Sequence, residues 1–165
     1  MLKTGKIALA FAAGLLASAF AATAPTASAA PAADFAVVKS VEYGSYLHPE
    51  PDRSVVLGDP HEWVFTRTPS GAYMIRTSNL PGAPCLTSEG DGQPVVVAVC
   101  RRPGVGGQYW RLTHTDPDQS NPVLIESADY PDEVLEAHGT GTMVTLESKT
   151  NHTDQQWEVS GPEED

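Results

Sequence analysis

Three tryptophans, Trp63, Trp110 and Trp157, stand 47 residues apart and then 47 residues apart again. Two of them close the same short word, Gln108-Tyr109-Trp110 and Gln155-Gln156-Trp157. The third, His61-Glu62-Trp63, keeps the ring and puts a histidine where the glutamine stands in the others. A period of this length marks a repeat architecture, in which copies that cannot bury an apolar face alone bury it against one another. Three copies are too few for a solenoid or a propeller. Three can close into a pseudo-threefold β structure, so the repeat constrains the fold far more than the chemistry.

Each copy carries four short apolar runs. The first is Phe35-Ala-Val-Val-Lys39 in copy one, Tyr73-Met-Ile-Arg76 in copy two and Val123-Leu-Ile-Glu126 in copy three. A second run surrounds Leu47, Leu86 or Leu135, and a turn rich in Gly, Pro and Asp follows it. The third run is Ser54–Leu57, Val95–Val99 or Met143–Leu146, and the tryptophan opens the fourth. β-Branched and aromatic residues in short runs, with turn signals about every 8–12 residues, read as strands of an all-β barrel or sandwich. No helical periodicity competes with them. Twelve strands in three copies predict a β-trefoil. Trp63, Trp110 and Trp157 are then core residues, and Gln108 and Gln155 satisfy backbone groups in the turn before each tryptophan strand.

The expected domain spans residues 35–160. Residues 1–29 read as a secretory signal peptide: Lys3 and Lys6, an apolar stretch from Ile7 to Phe20, and the small-x-small sequence Ala27-Ser28-Ala29. Residues 30–34 form a short linker and residues 161–165 an acidic tail. No later stretch is apolar enough to span a membrane. After cleavage, 8 basic residues face 21 acidic ones, a formal charge of −13. That balance argues against nucleic acid and anionic membrane surfaces, whose binding rests on many Lys and Arg contacts to phosphates. The two cysteines, Cys85 and Cys100, both fall in the exported part. An even count in an oxidising compartment favours a disulfide, closing a loop of about 16 residues. Spacing and flanking residues do not suit a zinc site, and no metal or other cofactor is expected.

Cys85-Leu86-Thr87, Val95-Val-Val-Ala-Val-Cys100 and Gln108-Tyr109-Trp110 together resemble the repeat of the ricin B-type lectins, which runs Cys-Leu-Asp, an apolar run ending in Cys, and Gln-x-Trp. Copy three resembles it through Val134-Leu135-Glu136, Val144-Thr-Leu146 and Gln155-Gln-Trp157, with Val134 and Lys149 at the cysteine positions. Copy one keeps Leu47, Val55-Val-Leu57 and Trp63. The resemblance implies a sugar site built from an acid after the leucine, a stacking ring after the third run and an amide beside the glutamine. Copy two has Thr87, Ala98 and Gly107 at those positions, and copy one has His48, Gly58 and Pro60, so neither is expected to bind. Copy three alone offers candidates: Glu136 for the acid, Asp154 for the amide, Gln155 as brace, and Glu147 where the ring would be. Tyr130, in the preceding loop, is a ring that can approach from the side. Glu147 offers a neutral sugar little, and the cluster of Glu136, Glu147 and Asp154 suits instead an amino sugar, a cation or a basic peptide. The bland alternative is three solvated carboxylates.

No metal-ligand spacing among the five histidines, no nucleophile elbow and no phosphate-binding loop point to an enzyme. The Asn151-His-Thr153 sequon is read as coincidental. The first reading is a secreted carbohydrate-binding module with degenerate sites. The alternative is a secreted serine protease inhibitor, since β-trefoils include fungal inhibitors that this chain resembles in general layout. Its loop would be His48-Pro-Glu-Pro-Asp-Arg53-Ser54, stiffened by two prolines and offering the Arg53-Ser54 bond, or Cys100-Arg101-Arg102-Pro103. The expected partner is a carbohydrate or a secreted protein such as a protease.

Overall fold

The computed structural model describes residues 33–102, 106–118 and 121–161. The expected signal peptide, and the tail beyond Gly161, lie outside the described residues. Twelve strands follow in chain order: β1 Ala33–Ser40, β2 Tyr46–Pro49, β3 Val55–Gly58 and β4 Trp63–Arg67 form lobe one. Lobe two holds β5 Tyr73–Thr77, β6 Cys85–Thr87, β7 Val96–Ala98 and β8 Trp110–His114. Lobe three holds β9 Val123–Ser127, β10 Glu133–Glu136, β11 Thr145–Ser148 and β12 Trp157–Ser160. A 3₁₀ turn, Thr153–Gln155, precedes β12. Strand β1 takes in Ala33 and Asp34 from the segment read as a linker, because both pair with β4 opposite Thr66 and Phe65.

The first and fourth strands of every lobe close a barrel. β1 pairs with β4, β4 with β5, β5 with β8, β8 with β9, β9 with β12, and β12 returns to β1, all antiparallel. A closed ring leaves no exposed sheet edge. The second and third strands form three hairpins, β2–β3, β6–β7 and β10–β11, in matching register: His48 opposite Val56, Thr87 opposite Val96, Glu136 opposite Thr145. Neighbouring hairpins are stitched by Val97 N–H to the Arg53 carbonyl, Val144 N–H to Val55 and Val95 N–H to Val144. The result is a β-trefoil.

The core fills the space between barrel and hairpins. In β4, Trp63 and Phe65 turn inward, and the hairpin leucines Leu47, Leu86 and Leu135 are fully buried. All three indoles are buried, and each donates its N–H to the carbonyl of the hairpin leucine of its own lobe. Trp63 reaches Leu47 at 2.9 Å, Trp110 reaches Leu86 at 3.1 Å and Trp157 reaches Leu135 at 3.2 Å. The tryptophan is therefore apolar filler and the bolt between barrel and hairpin at once. Cys85 and Cys100 form a disulfide. In lobe three Lys149, which replaces the second cysteine, instead forms an ion pair with Glu126 of β9.

Candidate functional site

In every lobe the residue after the hairpin leucine meets the residue two before the tryptophan. In lobe two, Gln108 donates to Thr87 Oγ1 at 2.9 Å and to the Val99 carbonyl at 3.0 Å, while its own oxygen accepts from Arg101 N–H at 2.7 Å. In lobe three, Gln155 donates to Glu136 Oε2 at 2.8 Å and to the Ser148 carbonyl at 2.9 Å, and accepts from the N–H groups of Thr150 and Asn151. In lobe one the pair is His48 and His61, edge to face with ring centroids 5.5 Å apart. Gln108 and Gln155 thus brace the preceding turn, and the same geometry places the sugar-site positions.

Lobe two is closed. Thr87 is buried and its hydroxyl is fully used, accepting from Gln108 and donating to the Cys85 carbonyl at 2.8 Å. Gly107 sits at φ +84°, and a Cβ there would lie 2.0 Å from the Ser88 carbonyl oxygen, so no side chain can occupy the amide position. Lobe one lacks both the acid and the glutamine and is crowded at Gly58. A Cβ on Gly58 would meet His48 Cβ at 3.2 Å, and His48 Nδ1–H is held by the Asp59 carbonyl at 3.1 Å.

Lobe three is open. Glu136 is half-buried, with Oε2 on Gln155 and Oε1 3.7 Å from His138 Nδ1. His138 Nε2 lies 2.7 Å from Thr145 Oγ1, which in turn donates to Glu147 Oε1 at 2.8 Å. Since that hydroxyl gives its only proton to Glu147, it accepts from the imidazole N–H. Thr145 therefore joins Glu147 to His138, and the His138 ring stands beside Glu136, Thr145's cross-strand partner. Asp154 adjoins them through its backbone, whose carbonyl accepts from Ala137 N–H at 2.9 Å, but one of its carboxylate oxygens is sealed without a partner. Glu133, across from Ser148, lies near Glu147 and Asp91; burial first, then those two carboxylates, pushes its carboxyl above the usual range. Tyr130 makes no hydrogen bond to the side chains of this site among the described residues. It packs against the core beside the Gly90 turn of lobe two.

Sequence reasoning missed His138 and Thr145. The first was legible in principle, since it stands two residues after Glu136, just past the end of β10. The second is Glu136's cross-strand partner and depends on hairpin register. Among the described residues no group of three side chains is arranged to hold a metal ion, and no helix is long and apolar enough to cross a membrane.

The inhibitor loops have a geometry unlike a protease substrate. Proteases bind extended segments that pair with them strand to strand. Arg53 sits at φ +77° in a tight turn, its carbonyl is taken by Val97 N–H at 2.9 Å, and Asp52 caps Ser54 through its N–H at 3.0 Å and its hydroxyl at 2.6 Å. Arg101 is exposed, with its N–H held by Gln108. The Arg53-Ser54 bond is thus held away from an extended, substrate-like shape.

No family model matches the chain, and no curated protein matches its sequence. Its shape has clear counterparts. The chain is similar to the Macrolepiota procera ricin B-like lectin in complex with lactose at 19% identity, covering 78% of this chain and 95% of that one with a TM-score of 0.64. The Rhizoctonia solani agglutinin gives 16%, 84%, 99% and 0.60. The designed threefold-symmetric protein ThreeFoil gives 18%, 76%, 96% and 0.64. The chain is a β-trefoil of the architecture found in the ricin B-like lectins.

Proposed function

We propose that this chain is a secreted, non-enzymatic carbohydrate-binding module that works through lobe three alone. The observation that carries the reading is the contrast between lobes. Only lobe three pairs a partly exposed carboxylate with the bracing glutamine, as Glu136 with Gln155 at 2.8 Å, while the equivalent positions hold two histidines in lobe one and the buried Thr87 with Gln108 in lobe two. The lactose bound to the Macrolepiota lectin supports a sugar as the ligand class. Glu136 accepts hydroxyl hydrogen bonds, Gln155 holds it in place, and Glu147 supplies a second negative charge beside it. His138 presents the ring of this site in place of the missing aromatic. Two carboxylates on neighbouring strands, Glu147 held by Thr145 and Glu136 by Gln155, favour a sugar that carries a protonated amine over a neutral one.

A single shallow site without a large stacking ring gives millimolar affinity, about −4 kcal/mol, and one working lobe confers no avidity within the chain. A glycan array supplemented with chitosan and chitin oligomers tests this. Binding is expected to favour the free-amine oligomers, to vanish in Glu136→Gln and to survive Thr87→Ala. Binding that depends on Thr87 and ignores Glu136 would place the site in the wrong lobe.

A further inference from the structure

Two adjoining cavities share no lining residue with the Glu136 site. The first, about 520 Å³, is lined by Pro69, Ala72, Met74, Tyr109 and Ala128. The second, about 530 Å³, lies at the mouth of the barrel and is lined by Arg67, Arg111 and His114. Ser70 and Arg111 line both, so the cavities meet at these two residues. Both volumes fall in the range of small-molecule sites, about 300–1,000 Å³.

Two observations point to a ligand. In a chain with 21 acidic and 10 basic residues, the second cavity gathers two arginines and a histidine with no Asp or Glu in its lining. Neither guanidinium has an ion pair or hydrogen bond among the described residues. Such a pocket is locally positive against a negative surround, and concave walls focus that field. In the first cavity Tyr109 is 8% exposed, and its hydroxyl is buried with no hydrogen-bond partner. Buried hydroxyls are nearly always paired, so this donor lacks the acceptor its surroundings call for. The nearby carboxylate, Asp129, lines the same cavity, with Oδ2 taken by Gly107 N–H at 2.8 Å.

We propose that the two cavities form one binding site for a small organic anion with an apolar body. The body rests against Met74 and Ala128, with an acceptor atom toward Tyr109. Its phosphate, sulfate or carboxylate group lies between Arg67 and Arg111, whose planar forks suit such oxyanions.

Titration of the full chain by calorimetry with phenyl phosphate tests the site, with inorganic phosphate and phenol as half-ligands. Phenyl phosphate is expected to bind at about millimolar Kd or tighter, and at least about tenfold tighter than either half-ligand. Arg111→Gln and Arg67→Gln, both at exposed side chains, are each expected to weaken it about tenfold. Ala128→Leu, which fills the apolar cavity, should remove the advantage over inorganic phosphate, while Glu136→Gln should change nothing. Phenyl phosphate binding no tighter than the half-ligands, or a Kd unmoved by both arginine substitutions, overturns the proposal.

Discussion

At the scale of single residues, the position two before each tryptophan separates the lobes. Gln108 and Gln155 satisfy both ends of their amides, whereas His61 is buried with Nε2 unpartnered and its ring against His48 and Trp63. Burial first, then the neighbouring His48, pushes the His61 imidazole down from 6.5 to about 4. The folded chain therefore binds fewer protons at this site than the unfolded chain between those values. The stability tied to a neutral His61 is fully present above pH 6.5 and is lost as pH falls toward 4. His61→Gln, which restores the word found in the other lobes, is expected to flatten the fall in midpoint temperature between pH 6.5 and 4. Thermal scans of both proteins at matched pH measure this, and identical acid slopes would show that His61 is not the titrating group.

At the scale of elements, the strands were legible where the apolar run and the pairing coincide. The tryptophan strands and the first strands follow the sequence closely. The third strand of lobe three does not: the run Met143–Leu146 predicts a strand there, and β11 is Thr145–Ser148. Val144 is apolar because it is buried between hairpins, bonded to Val55 and Val95, whereas Met143 bridges to Val56 through its backbone and keeps an exposed side chain. One-dimensional patterning cannot tell a residue buried within its hairpin from one buried between hairpins. The turn after the third strand is tied down differently in two lobes, by the disulfide in lobe two and by Lys149 with Glu126 in lobe three. Replacing both cysteines by serine is expected to cost about 3 kcal/mol. Lys149→Met should cost below about 1 kcal/mol, because that pair is partly solvated. Urea denaturation of the two variants gives the comparison, and equal losses would contradict this ranking.

At the scale of the whole molecule, the threefold repeat made the architecture readable before any contact was known, because the tryptophan bolt needs one indole and one leucine per lobe. The candidate sites were readable only in part. Glu136 and Gln155 lie within one repeat at fixed spacing. The paired cavities draw on the Pro69–Ala72 turn, Tyr109, Arg111 and Ala128, which meet only after the barrel closes. Charge acts at this largest scale as well. The chain carries a formal net charge of −11, and two Lys–carboxylate pairs, Lys39–Glu158 and Lys149–Glu126, offset it locally among the described residues. Both pairs are at least partly solvated, so salt removes little by screening them. The same salt screens the longer-range repulsion among carboxylates that opposes the compact state. Folding stability measured with urea, which adds no ions, is therefore expected to rise as sodium chloride goes from about 20 mM to about 300 mM, where the screening length falls below about 10 Å. A fall over that range would mean that local ion pairs outweigh the net charge in holding the trefoil together.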